Sequence, residues 1–422
     1  MKLAKRSQLT LFLISPLFLS SVFAQILPLD SVLAAIESRN PEIKMFDAQI
    51  KAMNSYATGA KSWDAPQVAT GFFMTPYNRS MWQPDPSMYS SGMGSYMISV
   101  QQMIPNAGKL NANKTYMESM STVETQNKLF VRNKLFADAK TSYYELVVLL
   151  KKQKVLSESE TLLKFVIQTT ELRYPYNQEK LGSIYKGKAQ LAEIQSMLLM
   201  IRNEANQKEV MLNTLMNRNK TAAMNPDTSY VIKNYELDLA DTTMISTQRS
   251  DLKAIDNTIT SLKAKQKFED AKRLPDFGLK YDHMFTFGNQ PQLFSLMGMI
   301  TIPIAPWSSK MYKSSVTGLG YEMQALQSQK QSIVNEANGQ LQALKIKIGF
   351  QKQQLILYEK SILPALRKNY QVLLLSYEQN TEDLFMVLDA IQMLKMNQLA
   401  YLDQLEQLLT LQTEYEKEIE RR

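Results

Sequence analysis

The stretch Pro275-Asp276-Phe277-Gly278-Leu279-Lys280-Tyr281-Asp282-His283 sets Phe277, Leu279 and Tyr281 against Asp276, Gly278, Lys280 and Asp282. A period of two marks a strand with one face toward lipid or core and the other toward water. Working outward, Arg249-Ser250-Asp251-Leu252 opens a helical pattern 26 residues before Pro275. Downstream, Phe294, Leu296 and Ile300 alternate with Ser295, Met299 and Thr301, and Pro303 follows.

The same order occurs earlier in the chain. Asn40-Pro41-Glu42-Ile43 opens a helical pattern, and Pro66 comes 26 residues after Asn40. Gln67 to Met74 is a weaker strand pattern, whereas Tyr96, Ile98 and Val100 alternate clearly with Met97, Ser99 and Gln101. The helix and strand starts stand at a constant offset of 209, and Met103-Ile104-Pro105 matches Thr301-Ile302-Pro303 at a slightly smaller one. Internal duplication of this kind defines the architecture. It gives four strands, each near the ~9 to 11 residues that cross a bilayer at a tilt.

Proline-free tracts flank the strands: Asn106 to Tyr174, Tyr176 to Asn225, Trp307 to Leu363 and Ala365 to Arg422. A continuous helix of about 65 residues would reach roughly 100 Å, longer than a globular core requires. Leu384, Leu388, Ile391, Leu399, Leu402, Leu405 and Leu409 keep to one side of the last tract, as coiled-coil packing demands. The expected class is therefore mainly α with membrane β: long antiparallel coiled-coil helices plus four strands per chain. A first repeat is expected over residues 25–217, with a strand hairpin at 66–103 and a helical hairpin at 106–217. A linker at 218–247 separates it from a second repeat at 248–422, with a strand hairpin at 275–303 and a helical hairpin at 307–422.

Residues 1–24 read as a secretory signal: Lys2, Lys5 and Arg6, an apolar run from Leu9 to Phe23, and a small-residue cleavage context ending at Ala24. No long, uniformly apolar segment follows, so a membrane location would require a barrel. The chain has no cysteine, which excludes disulfides, thiolate metal sites and lipid attachment at cysteine. Of the net +8, three charges leave with the signal, and the remaining 45 basic against 40 acidic residues make no nucleic-acid footprint.

Four strands are too few to close a barrel, and an open edge in hydrocarbon leaves backbone groups without hydrogen bonds. Three copies would supply twelve strands, an even number wide enough to leave a lumen. The expected assembly is a homotrimer in outer-membrane lipid with a helical extension into the periplasm. The contrasting reading is a soluble periplasmic coiled-coil protein with a small accessory sheet.

This order resembles the TolC-like outer-membrane efflux proteins over nearly the whole mature chain. Asn40-Pro41-Glu42-Ile43 and Arg249-Ser250-Asp251-Leu252 are similar to the family's N-P-x-[IL] and R-P-D-L helix starts, with Ser250 in place of the usual proline. Ala271 to Phe277 resembles the approach to the second strand hairpin, and Gln101-Gln102-Met103-Ile104-Pro105 the exit from the first. Tyr377-Glu378-Gln379-Asn380 resembles Y-x-x-G, with Asn380 replacing glycine. Met386-Val387-Leu388-Asp389-Ala390 resembles D-V-L-D-A, with Met386 replacing the first aspartate.

The resemblance implies a trimeric duct whose helices form a periplasmic tunnel. Its partners would be a periplasmic adaptor and an inner-membrane transporter, taken as proton-driven. A heavy-metal branch of the family fits the methionine content. Tyr377, Asn380, Met386 and Asp389 would lie at the tunnel tip, where three copies of Asp389 would make a carboxylate ring. The same architecture serves as the outer duct of type I protein secretion, which is the alternative transport reading.

Of the 25 methionines, Met74, Met81, Met88, Met93, Met97 and Met103 fall in or beside the first strand hairpin. Thioethers are soft ligands for Cu(I) or Ag(I). Methionine also fills gaps in packed interiors, and the sequence leaves both uses open. An enzyme is not expected: His283 is the single histidine, no nucleophile pairs with it, and no phosphate-binding glycine loop or cofactor motif is present.

Overall fold

The computed structural model describes residues 26–84, 92–176, 180–235 and 242–421. The expected signal segment and Met88 lie outside the described residues. Helices α1 (Leu29–Arg39) and α2 (Pro41–Gly59) lead to strands β1 (Gln67–Phe73) and β2 (Ser95–Ile104). The long α3 (Ala107–Arg173) and α4 (Leu181–Leu215) follow. After an irregular crossing come α5 (Thr242–Gln248), α6 (Ser250–Ala271), β3 (Asp276–Thr286) and β4 (Leu293–Thr301). The chain finishes with α7 (Pro306–Leu357), α8 (Leu363–Glu378) and α9 (Leu384–Glu418). The helical, four-stranded class read from the sequence is the one observed.

Local chemistry fixes the boundaries. Asn40 caps α2 by accepting from the Glu42 N–H at 2.9 Å, with Pro41 at the first helical position, where a missing N–H costs nothing. Asn106 caps α3 through the Gly108 N–H at 2.8 Å. Its own N–H donates to Asp276 at 3.0 Å, and Lys109 pairs with the same carboxylate at 2.6 Å. The first long helix is thereby tied to the start of the second strand hairpin.

α3 runs 67 residues, about 100 Å at 1.5 Å per residue. Pro364, which separates the last two proline-free tracts, does not end a helix. Helix α7 passes through a π-helical turn at Tyr358–Ile362 into α8, with Pro364 in the first turn of α8. Proline lacks an N–H and crowds the preceding turn, and a wider turn just upstream absorbs both defects without ending the helix. The reversal lies between α8 and α9, at the stretch that resembles Y-x-x-G.

Asn217, Asn380 and Glu420 hold φ of 50°, 56° and 49°. Each is followed by a six-to-one backbone bond: Arg218 N–H to Asn213, Thr381 N–H to Ser376 and Arg421 N–H to Glu416. All three are left-handed helix stops of the Schellman kind. Ser250, standing where the resembled motif has proline, uses the N–H a proline would lack. Its N–H and hydroxyl donate to Glu420 at 2.7 and 2.6 Å, locking the start of α6 to the end of α9.

The strands form one antiparallel sheet in the order β1-β2-β3-β4, with β1 and β4 at its edges. The register sorts its faces. Val68 and Phe72, then Tyr96, Ile98, Val100 and Ile104, then Phe277, Leu279, Tyr281 and Phe285, then Phe294, Leu296 and Ile300 share one face, and all are exposed. The opposite, mixed face carries Ser99, Gln101, Lys280, Asp282 and Ser295 together with methionines. Ser95, Ser99 and Asp282 are buried there.

The helices share two apolar cores. One joins α1, α3, α4 and the α8–α9 turn through residues such as Ile36, Leu146, Leu163, Ile194 and Leu388. The other joins α7 and the second half of α9 through Leu341, Ile348, Leu405 and Leu409, with Tyr235 from the crossing segment. Of the leucine face expected on α9, all members are buried except Leu399, which is half-buried.

Candidate functional site: helical tip and strand face

The far end of the molecule is the turn between α8 and α9. Asn380 stops α8, and Asp383 starts α9 by accepting from the Phe385 N–H at 3.2 Å. Tyr377 is buried beneath the turn, with the Arg173 guanidinium 5.1 Å above its ring and its hydroxyl 3.4 Å from Thr170. Arg173 also reaches the Asn380 side-chain oxygen at 3.4 Å. A residue at the end of α3 therefore holds the α8–α9 turn.

Further contacts join α4 to α9. Lys180 pairs with Asp383 at 2.7 Å, and this lysine together with the Phe385 N–H holds the Asp383 carboxyl below its ordinary range. Lys186 lies 3.1 Å from the centroid of the Phe385 ring, and Gln190 donates to Gln392 at 2.6 Å. Sequence reading missed these pairings, because partners about 200 residues apart leave no local signal. The helix-capping position of Asp383, directly before an apolar helix start, was the one legible clue.

Asp389 and Met386 stand differently. Both are exposed, and on α9 they share a face with Met393 and Met396 at helical spacing. Among the described residues Asp389 has no hydrogen-bond or ion-pair partner. The four residues read from the sequence thus divide: Tyr377 and Asn380 build the turn, and Asp389 and Met386 present an open surface one turn beyond it.

The six methionines of the first hairpin do not form one cluster. Met74 lies just past β1 with φ 46°, and Met81 and Met93 belong to the loop, where the Met93 N–H donates to the Met81 carbonyl at 2.8 Å. Met97 and Met103 lie on β2, on the mixed face. Their neighbours come from the second hairpin: Met97 is paired with Met284, and Met103 with Gly278, which is itself paired with Met299. Met284 and Met299 were visible in the sequence only as strand positions sharing parity with Asp282 and Ser295. Their meeting with Met97 and Met103 depends on the pairing of β2 with β3.

No family model matches the chain, and no curated protein does. Solved structures do match. The outer membrane protein VceC of Vibrio cholerae is 16% identical with a TM-score of 0.72, covering 93% of this chain and 95% of that one. The CmeC outer membrane channel of Campylobacter jejuni is 14% identical with a TM-score of 0.71, covering 93% and 85%. This chain has the outer-membrane channel fold. The open state of the MtrE outer membrane channel of Neisseria gonorrhoeae, 14% identical with a TM-score of 0.68, covers 93% of this chain and 89% of that one. The match spans sheet and helices together, so the channel fold accounts for nearly the whole described chain.

Proposed function

We propose that the protein is the outer-membrane channel subunit of a tripartite efflux system, a passive duct through the outer membrane and across the periplasm. The observation that carries this reading is the sheet: one face largely apolar, broken by Thr70, Gln102 and His283, the other mixed, and both edges unpaired among the described residues, at one end of a helical body about 100 Å long. Among the described residues no helix is long and apolar enough to cross a membrane, whereas the sheet meets the requirements of a barrel segment. Three chains pairing β4 to β1 would close twelve strands, placing the apolar face on lipid and the mixed face on the lumen. The exposed apolar residues of the helices, among them Tyr185, Leu199, Phe350 and Leu375, would be covered in the same trimer.

In this reading the tip of α8–α9 narrows the periplasmic end. A periplasmic adaptor would dock there, and an inner-membrane pump would supply the energy and the cargo. The unpartnered, exposed Asp389 supports an acidic ring at the constriction. Single-channel recording in planar bilayers tests the assignment. The wild type should conduct and be blocked by a trivalent cation added on the periplasmic side. Asp389→Asn should weaken that block by roughly tenfold or more, since losing ~1.4 kcal/mol of attraction already gives that factor. An unchanged block would leave Asp389 an ordinary solvated helix residue.

A further inference from the structure

The mixed face of the sheet is layered by its register. One row in from the loop-side pair Ser95 and Thr286, Met97 faces Met284 across β2 and β3. The next layer holds Ser99, Asp282 and Ser295, and the next Gln101, Lys280 and Met297. Nearest the helices, Met103, Gly278 and Met299 form one row. Methionines thus bracket a polar belt on the side that the duct reading assigns to the lumen.

That placement is unusual for methionine. Its common use is to fill irregular gaps in packed interiors, whereas a barrel lumen is polar and wet. Gly278 sharpens the point. A Cβ there would lie 2.6 Å from the Met103 sulfur and 3.0 Å from the Met299 methyl carbon, so both side chains occupy the space above the glycine. Two strand positions about 10 Å apart are bridged by flexible thioethers meeting over a residue without a side chain. Met97 and Met284 are direct cross-strand partners, whose Cβ atoms stand ~5 Å apart in such pairs. Among the described residues no group of three or more histidine or carboxylate side chains could hold a metal ion, so the barrel offers hard cations no comparable cluster.

We propose that the Met103–Met299 pair over Gly278, and the Met97–Met284 pair nearer the loops, are thioether sites for monovalent copper or silver in transit through the barrel. This inference rests on the duct reading for the luminal position of the face, and it names the class of cargo. Thioethers are soft ligands that select such ions, and they carry no proton. Binding at these sites is therefore independent of pH between 5 and 8, unlike binding at imidazoles.

The test is a silver nitrate titration of the full-length, detergent-solubilised protein by calorimetry in chloride-free buffer, with planar-bilayer conductance measured on the same preparations. Leucine keeps volume and apolarity while removing the sulfur. Met103→Leu with Met299→Leu should lower the silver stoichiometry by one ion per chain, as should Met97→Leu with Met284→Leu, and conductance should persist in both. Gly278→Ala retains every thioether but fills the space between two of them, and it should weaken the first site at least tenfold. Unchanged silver stoichiometry in the double variants, or no silver bound by a conducting wild type, overturns the proposal. Absence of conductance from every preparation would instead defeat the duct reading, and the silver count would still judge the methionine pairs.

Discussion

Replacing Glu416 with alanine should cost about 3 to 5 kcal/mol of stability, the scale for stripping one partner from a buried ion pair. Glu416 and Lys140 are both 7% exposed at the side chain and 2.5 Å apart. The same carboxylate accepts from Lys233 and from the Tyr235 hydroxyl, and Gln412 one turn earlier donates to the Lys233 carbonyl at 2.8 Å. These bonds fasten the crossing segment between the halves to both α3 and α9. Without the carboxylate, Lys140 is left charged, buried and uncompensated.

The pH dependence follows from the same geometry. Burial pushes the Glu416 carboxyl up, but the bonds from Lys140, Lys233 and Tyr235 outweigh it and hold the group below its ordinary value. A carboxyl depressed in the folded state stabilises fully above its unfolded pKa and loses that contribution as pH falls through the folded one. Thermal unfolding of the solubilised protein should therefore show a larger loss below about pH 4.5 in the wild type than in Glu416→Ala, which keeps only the acid loss of other depressed carboxyls such as Asp383. Coincident pH profiles for the two proteins would remove Glu416 from this role.

Leu296→Arg should be the second large effect. Leu296 lies mid-strand on β4, on the apolar face, and is 61% exposed in the single chain. A cation on the lipid side of a barrel near the bilayer midplane costs ~2 to 4 kcal/mol, and the proposed trimer would carry three of them. Met297, its neighbour, points to the opposite face, and Met297→Arg should cost under about 1 kcal/mol. Urea unfolding from lipid vesicles would compare the two. Equal penalties would mean that the faces have been assigned wrongly.

How much of this could be read from the sequence depended on distance along the chain. Strands β2, β3 and β4 were legible because alternation is local, and β1 less so because Gln67 to Met74 alternates poorly. The reversal at Asn380 was legible through the resemblance to Y-x-x-G, and asparagine can stand in for that glycine because it tolerates a left-handed backbone. Pro364 bounds a proline-free tract without bounding a helix, since a proline ends a helix only when no wider turn absorbs it, and the Tyr358–Ile362 turn does so. The partners of Asp383, Ser250 and Glu416 lie roughly 170 to 280 residues away along the chain, at Lys180, Glu420 and Lys140, and no local pattern announces them. The methionine pairs fall between these cases. Their parity could be read, but their meeting across Gly278 required the register of β2 with β3 and β4.

Electron microscopy of the detergent-solubilised protein tests most directly whether three chains share a twelve-stranded duct. A threefold particle is predicted, with β4 of one chain paired to β1 of the next, the apolar face outward and a continuous helical tunnel below. A monomer with both sheet edges free in solution would contradict it.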